Sequence, residues 1–177
     1  ELNILSKFLD ENIYKIEKII NNFIRNIILI IKDNKVLDVG ISIKKKKYEK
    51  YIDQKYLENI LVEVKDIFRE NYQYQTIMHM IIVNNDKNEN NLFLEVNFIS
   101  IPNNFTFNFD KLLENHQIEI KHYMSGSYIE NFLDEDQTDL FEMANKLNHG
   151  LNKNEVKLVS KSHENKGFFE KFFQLFS

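Results

Sequence analysis

The chain has 177 residues, 43% of them hydrophobic, and a formal net charge of −4, which fits one domain with a sizeable core and leaves room for a tail. With no cysteine it builds neither a disulfide framework nor a thiolate metal site, and its 27 acidic against 23 basic residues lack the basic footprint of a nucleic-acid binder. The four glycines, Gly40, Gly126, Gly150 and Gly167, stand too far apart to form a phosphate-cradling loop, and no stretch reaches the ~20 uncharged apolar residues of a membrane span.

Apolar residues at Leu5, Phe8, Leu9, Ile13, Ile16, Ile19, Ile20 and Phe23 recur at steps of three and four, which predicts a first helix. The run 27–31 is wholly aliphatic and reads as a strand buried on both faces. Asp33-Asn34-Lys35 has turn chemistry and 36–43 alternates, so a hairpin is expected between these strands. The lysines at 44–47 are read as a solvated loop or strand end. Asp53 is a candidate cap for a second helix carrying Tyr56, Leu57, Ile60, Leu61, Val64, Ile67 and Phe68. Strands at 75–83 and 92–101 are expected to form another hairpin across the polar stretch 84–91. After Pro102 come a helix through Phe105, Phe109, Leu112 and Leu113, a strand at 117–123, and short helices at 127–133 and 138–148 that flank Asp134-Glu135-Asp136. Gly150 is placed to end the last of these, and 155–159 is extended. Helices alternating with hairpins predict an α+β two-layer sandwich built on a small, mostly antiparallel sheet.

No catalytic or metal-ligating constellation emerges. The histidines at 79, 116, 122, 149 and 163 show no ligand-pair spacing, and His79 between two methionines reads as a satisfied core residue. Ser125-Gly126-Ser127 lacks the flanking glycine of a nucleophile elbow. Asp38-Val39-Gly40-Ile41-Ser42 is similar to an acidic-x-glycine-x-hydroxyl phosphate turn, but it reads more simply as a strand with a bulge at Gly40. Asn104-Phe105-Thr106 has the form of a glycosylation acceptor, without a signal peptide to give it meaning.

The strongest functional signal is the segment 167–177. Five of the 15 phenylalanines lie there, and on a helix Phe168, Phe169, Phe172, Phe173 and Phe176 share one face opposite Glu170, Lys171 and Gln174. The polar linker 160–166 precedes it. Such a segment suits insertion at the lipid headgroup boundary, with Lys161, Lys166 and Lys171 favouring anionic lipid. The competing reading is packing onto the domain's own core. The other ten phenylalanines are mostly core candidates.

A helix, strands at 27–31 and 37–44, the lysine run, a helix through 56–71 and two strands ending at Pro102-Asn103-Asn104 resemble the FtsA family of actin-like division-ring membrane adaptors. The matching part is the subdomain that family inserts in place of one actin subdomain, leading through 109–120 to 125–132. The run from Leu147 to Val156, then Gly167-Phe168-Phe169-Glu170-Lys171-Phe172-Phe173, looks like the family's last core segment, linker and membrane helix. The resemblance divides the chain into an α+β domain at 1–132, a remnant helix and extended segment at 133–159, the linker 160–166 and the amphipathic helix 167–177. Neither the family's second phosphate hairpin nor its adenosine-contacting glycine pair is found. The resemblance therefore implies a reduced, non-catalytic relative with no cofactor, peripheral on the inner face of the cytoplasmic membrane. Its implied partners are division-ring and late divisome proteins and anionic lipid, with self-association open and no nucleic acid. The alternative it implies is a fragment of an actin-type ATPase with an incomplete nucleotide site.

Overall fold

The computed structural model describes residues 2–46, 54–87, 91–133 and 139–157. The elements in order are α1 (Leu2–Ile20), β1 (Asn26–Ile31), β2 (Leu37–Lys46), α2 (Gln54–Asn71), β3 (Gln75–Lys87), β4 (Asn91–Pro102), α3 (Asn103–Glu114), β5 (Glu119–Ser125), α4 (Gly126–Glu130) and α5 (Leu140–Asn148). The class is α+β, with a small antiparallel sheet and helices. The expected cap at Asp53, the acidic cluster 134–136 and the tail 167–177 lie outside the described residues.

The strands form two sheets. One is antiparallel with order β2-β4-β3, and the other is the parallel pair β1-β5. The hairpin expected between 27–31 and 36–43 therefore does not form. Its turn does: Lys35 N–H donates to Asp33 Oδ1 at 2.8 Å, and Val36 N–H reaches Asp33 O at 3.3 Å. Instead of folding the chain back on itself, the turn passes it from one sheet to the other, because β2 finds its partner in β4. Nor is β1 buried on both faces, since only Ile31 in it is fully buried. The hairpin β3-β4 does form, and it runs into the polar stretch expected to be loop, with Asn84, Asn85, Asp86 and Lys87 all paired to β4. Polar residues are tolerated there because ladder bonds satisfy the backbone whatever the side chain.

One face of the antiparallel sheet packs on α2. Leu57, Ile60, Leu61, Val64 and Phe68 are buried against Met80, Ile82, Leu94, Val96 and Phe98, as the helical spacing requires. Phe68 is the hub, fully buried and stacked between Tyr72 at 4.9 Å and Phe98 at 4.6 Å. Ile99, adjacent to Phe98 and so on the opposite face, joins a second core with Met124, Ile129, Met143, Ala144 and Leu147. The α5 helix thus closes a core that also draws on β4 and β5.

A bulge in β3 between Ile77 and His79 breaks the strict alternation. It leaves Met78 packed in the second core and places the neighbouring His79 ring against Tyr128 at the same side of the sheet. No such bulge occurs at Gly40, contrary to expectation; Gly40 pairs regularly with Asn97. The helix α1 uses less of its apolar surface than its periodicity suggests. Leu9 is buried with Leu113 and Ile118, whereas Phe8 and Ile19 stay exposed; the helix ends at Ile20, short of the expected Phe23, which is exposed in the connection to β1. The phenylalanines divide similarly: Phe68 and Phe98 are buried, while Phe8, Phe23, Phe107 and Phe141 are more than half exposed.

Replacing Phe68 by Ala removes a ring from a closed stack and is expected to cost about 3–5 kcal/mol in urea unfolding. Tyr74→Ala, at a residue 82% exposed, is the control and should stay within ~0.5 kcal/mol of the parent.

Candidate functional site

All seven residues expected to contact the membrane, Lys166, Phe168, Phe169, Lys171, Phe172, Phe173 and Phe176, lie outside the described residues. What the structure places is the segment from which they depart. After α5, Gly150 takes φ +92° and its N–H bonds Leu147 O at 2.9 Å, ending the helix as the sequence predicts. Residues 152–156 then lie along the outer edge of β3. Ile82 N–H donates to Asn154 O at 2.9 Å and Val156 N–H donates to Met80 O at 2.8 Å, an antiparallel bridge centred on Ile81 and Glu155. Val156 is buried in the first core.

A polar cluster locks this segment. The N–H of Ser125 donates to His79 Nε2 at 3.0 Å. A backbone N–H can only donate, so Nε2 carries no proton and the ring hydrogen resides on Nδ1. Nδ1 is 2.7 Å from Glu155 Oε1 and donates to it. The other carboxylate oxygen, Oε2, accepts from the Tyr128 hydroxyl at 3.0 Å, and that hydroxyl accepts from Asn152 Nδ2 at 2.8 Å. The Tyr128 ring packs on His79 with centroids 4.2 Å apart and meets Phe132 edge-on. Ser125 Oγ accepts from Tyr128 N–H, capping α4, and pairs with Ser127 Oγ at 2.9 Å.

The cluster superficially matches an acid-histidine-serine arrangement on a strand-to-helix turn. Its geometry excludes that role. Nε2, the atom that would activate a serine hydroxyl, is occupied by the backbone of Ser125, and both His79 and Ser125 are buried. The arrangement holds four segments together instead: β3, the end of β5, α4 and residues 152–155. Lys157, the last described residue, donates to Asn148 O at 2.7 Å and so satisfies a carbonyl at the end of α5.

The remaining sequence candidates are separate from this cluster. Lys45 pairs with Glu63 at 2.6 Å, Lys44 and Lys46 end β2 on its exposed side, and Lys47 lies outside the described residues. His116 Nε2 faces Asp10 at 3.6 Å and His149 Nδ1 lies 2.7 Å from Asn145 O. Burial, followed by the nearby Lys157, lowers the pKa of His122. Asn104-Phe105-Thr106 lies within the first turn of α3, with Thr106 buried. No group of three or more histidines and carboxylates suited to a metal occurs among the described residues, nor is any helix among them long and apolar enough to cross a membrane. A shallow groove of about 430 Å³ beside α3 is lined by Leu2, Lys35, Pro102, Asn104, Phe105, Asn108 and Phe109, and Lys35 is its one ionisable lining residue.

His79 is a satisfied core residue, as its place between two methionines suggests, but its partners are not legible in the sequence. Glu155 lies 76 positions away in sequence, and no spacing rule links it to His79. The legible signal was a charged residue, Glu155, immediately before the apolar Val156 in a segment otherwise read only as extended.

The chain matches no protein-family model, and no curated protein sequence matches it.

Glu155→Ala leaves the His79 Nδ1–H and the Tyr128 hydroxyl without their acceptor, and about 2–3 kcal/mol of stability should be lost, with Glu155→Gln losing less. In a double-mutant cycle, Tyr128→Phe and Glu155→Gln should couple by at least ~0.5 kcal/mol in denaturant unfolding.

Burial, reinforced by Glu155, raises the Tyr128 phenol above its usual 10.0; burial and the hydrogen bond to Asp110 raise Tyr123 likewise. In the unfolded chain these phenols ionise near 10, so their contribution is intact below that pH and is lost as pH rises beyond it. In an absorbance titration at alkaline pH, these two of the eight tyrosines should ionise only together with unfolding.

Proposed function

We propose that the protein is a non-catalytic, FtsA-like cell-division adaptor that docks on the inner face of the cytoplasmic membrane and binds division proteins. The observation that carries this reading is the clustering of Phe168, Phe169, Phe172, Phe173 and Phe176 within the last eleven residues, spaced for one helical face and preceded by a polar linker. On a lipid surface that face buries aromatic area at ~2–3 kcal/mol per ring, while Lys166 and Lys171 meet anionic headgroups.

The geometry at 152–157 supports an adaptor rather than a loosely tethered domain. The segment leading to the linker is bonded to Met80 and Ile82 and locked through Glu155, so a tail held at a membrane holds the sheet as well. A binding role also suits a chain whose most catalytic-looking cluster has its histidine nitrogens committed to Ser125 and Glu155.

Full-length protein should co-sediment with vesicles containing anionic lipid, and both Phe172→Glu and deletion of 167–177 should abolish this. Unchanged sedimentation of either variant overturns the membrane reading.

A further inference from the structure

The two edges of the antiparallel sheet are treated differently. The β3 edge is covered by the chain itself, through the bonds of Met80 and Ile82 to residues 154–156. On the other side, β2 pairs as a strand only with β4 among the described residues, leaving a regular ten-residue strand with its outer row of backbone groups unpaired. Nothing bends it away: its register to β4 runs from Leu37 to Lys46 without a shift. Its two rows of side chains are distinct. Val39, Ile41 and Ile43 are half-buried and pack toward the α2 core, whereas Asp38, Gly40, Ser42, Lys44 and Lys46 form an exposed polar row.

We propose that β2 is a self-association surface, pairing antiparallel with β2 of a second copy about a two-fold axis at Ile41 to make a continuous six-stranded sheet. The charge pattern selects the occupant, and together with the apolar row it selects the register. With Ile41 opposite Ile41, each Asp38 lies opposite a Lys44 on the exposed face, giving two symmetry-related cross-strand ion pairs. Neither residue enters an ion pair within one copy among the described residues. On the other face Val39 meets Ile43 and Ile41 meets itself, extending the apolar row beneath α2 across the axis. An axis at Gly40 sets Asp38 opposite Ser42 and Lys44 opposite Val36; an axis at Ser42 also sets Asp38 opposite a lysine, Lys46, but it puts Val39 opposite Lys45 in the row that faces α2. An axis at Lys45 places Lys44 against Lys46. The Ile41 register is thus the one that matches charge on the exposed row and apolar residues on the row facing α2 at the same time. Pairing is isologous and closes at two copies.

The test uses the full chain. Sedimentation equilibrium should show a concentration-dependent dimer. Asp38→Lys and Lys44→Asp should each weaken it by about tenfold, since each turns two attractive pairs repulsive, and the combined charge exchange should restore it. General damage to the strand would not be repaired by the second substitution.

Because the chain has no cysteine, register can be read directly. Gly40→Cys is accommodated, as a Cβ built there meets nothing within 4 Å. A mixture of Gly40→Cys and Ser42→Cys proteins should form a disulfide-linked heterodimer. Each alone should not, because identical positions one residue off the axis lie about 8 Å apart. A monomer at the highest soluble concentration overturns the proposal, as does cross-linking of either cysteine variant alone in preference to the mixture, or a combined exchange that fails to restore the dimer.

Discussion

A single imidazole governs how the late part of the chain joins the early part. His79 accepts a hydrogen bond from the Ser125 backbone on one nitrogen and donates to Glu155 from the other. With the tautomer fixed by the backbone donor, the ring has one stable orientation, and the positions of Glu155, Tyr128 and Asn152 follow from it. A buried polar group is costly without partners, so the cluster is stable only when all four segments are in place. That condition couples the β3 edge, the β5–α4 junction and the segment after α5 into one unit.

Two features of the chain make the cluster possible. The bulge at Met78 puts two consecutive β3 residues at the second core, so His79 reaches Tyr128 while Met80 still serves the α2 core. Gly126 lets the start of α4 approach β1, where a Cβ would collide with the Lys32 side chain and lie 3.2 Å from Ile31 O. Together they bring the end of β5, with its Ser125 N–H, against the histidine. With the β3 edge closed by 154–156, β2 is the sheet edge left without a strand partner among the described residues.

Local patterns were legible where one element packs against one neighbour. The spacing of Leu57, Ile60, Leu61, Val64 and Phe68 identified α2 and its buried face, and Gly150 marked the end of α5. Pairing between distant strands was not legible. An apolar run, a turn and an alternating run describe a hairpin equally well as a passage between two sheets, and the choice rests on β4 and β5, which come some 60 to 90 residues later. The same holds for Glu155, whose partner in β3 is set by tertiary folding alone. The exposure of Phe8 and Ile19 shows the converse limit: helical periodicity reports an apolar face, not whether a neighbouring element covers all of it.

The segment 152–157 is part of the folded sheet and is locked there through Glu155. Residue-resolved amide hydrogen exchange tests it most directly. The amides of Val156, Ile82 and Ser125, which donate to Met80 O, Asn154 O and His79 Nε2, should exchange as slowly as the central amides of β4 and open with them in one cooperative step. Fast exchange at Val156 and Ser125 while β4 stays protected would contradict it, because the segment would then be only loosely attached to the domain.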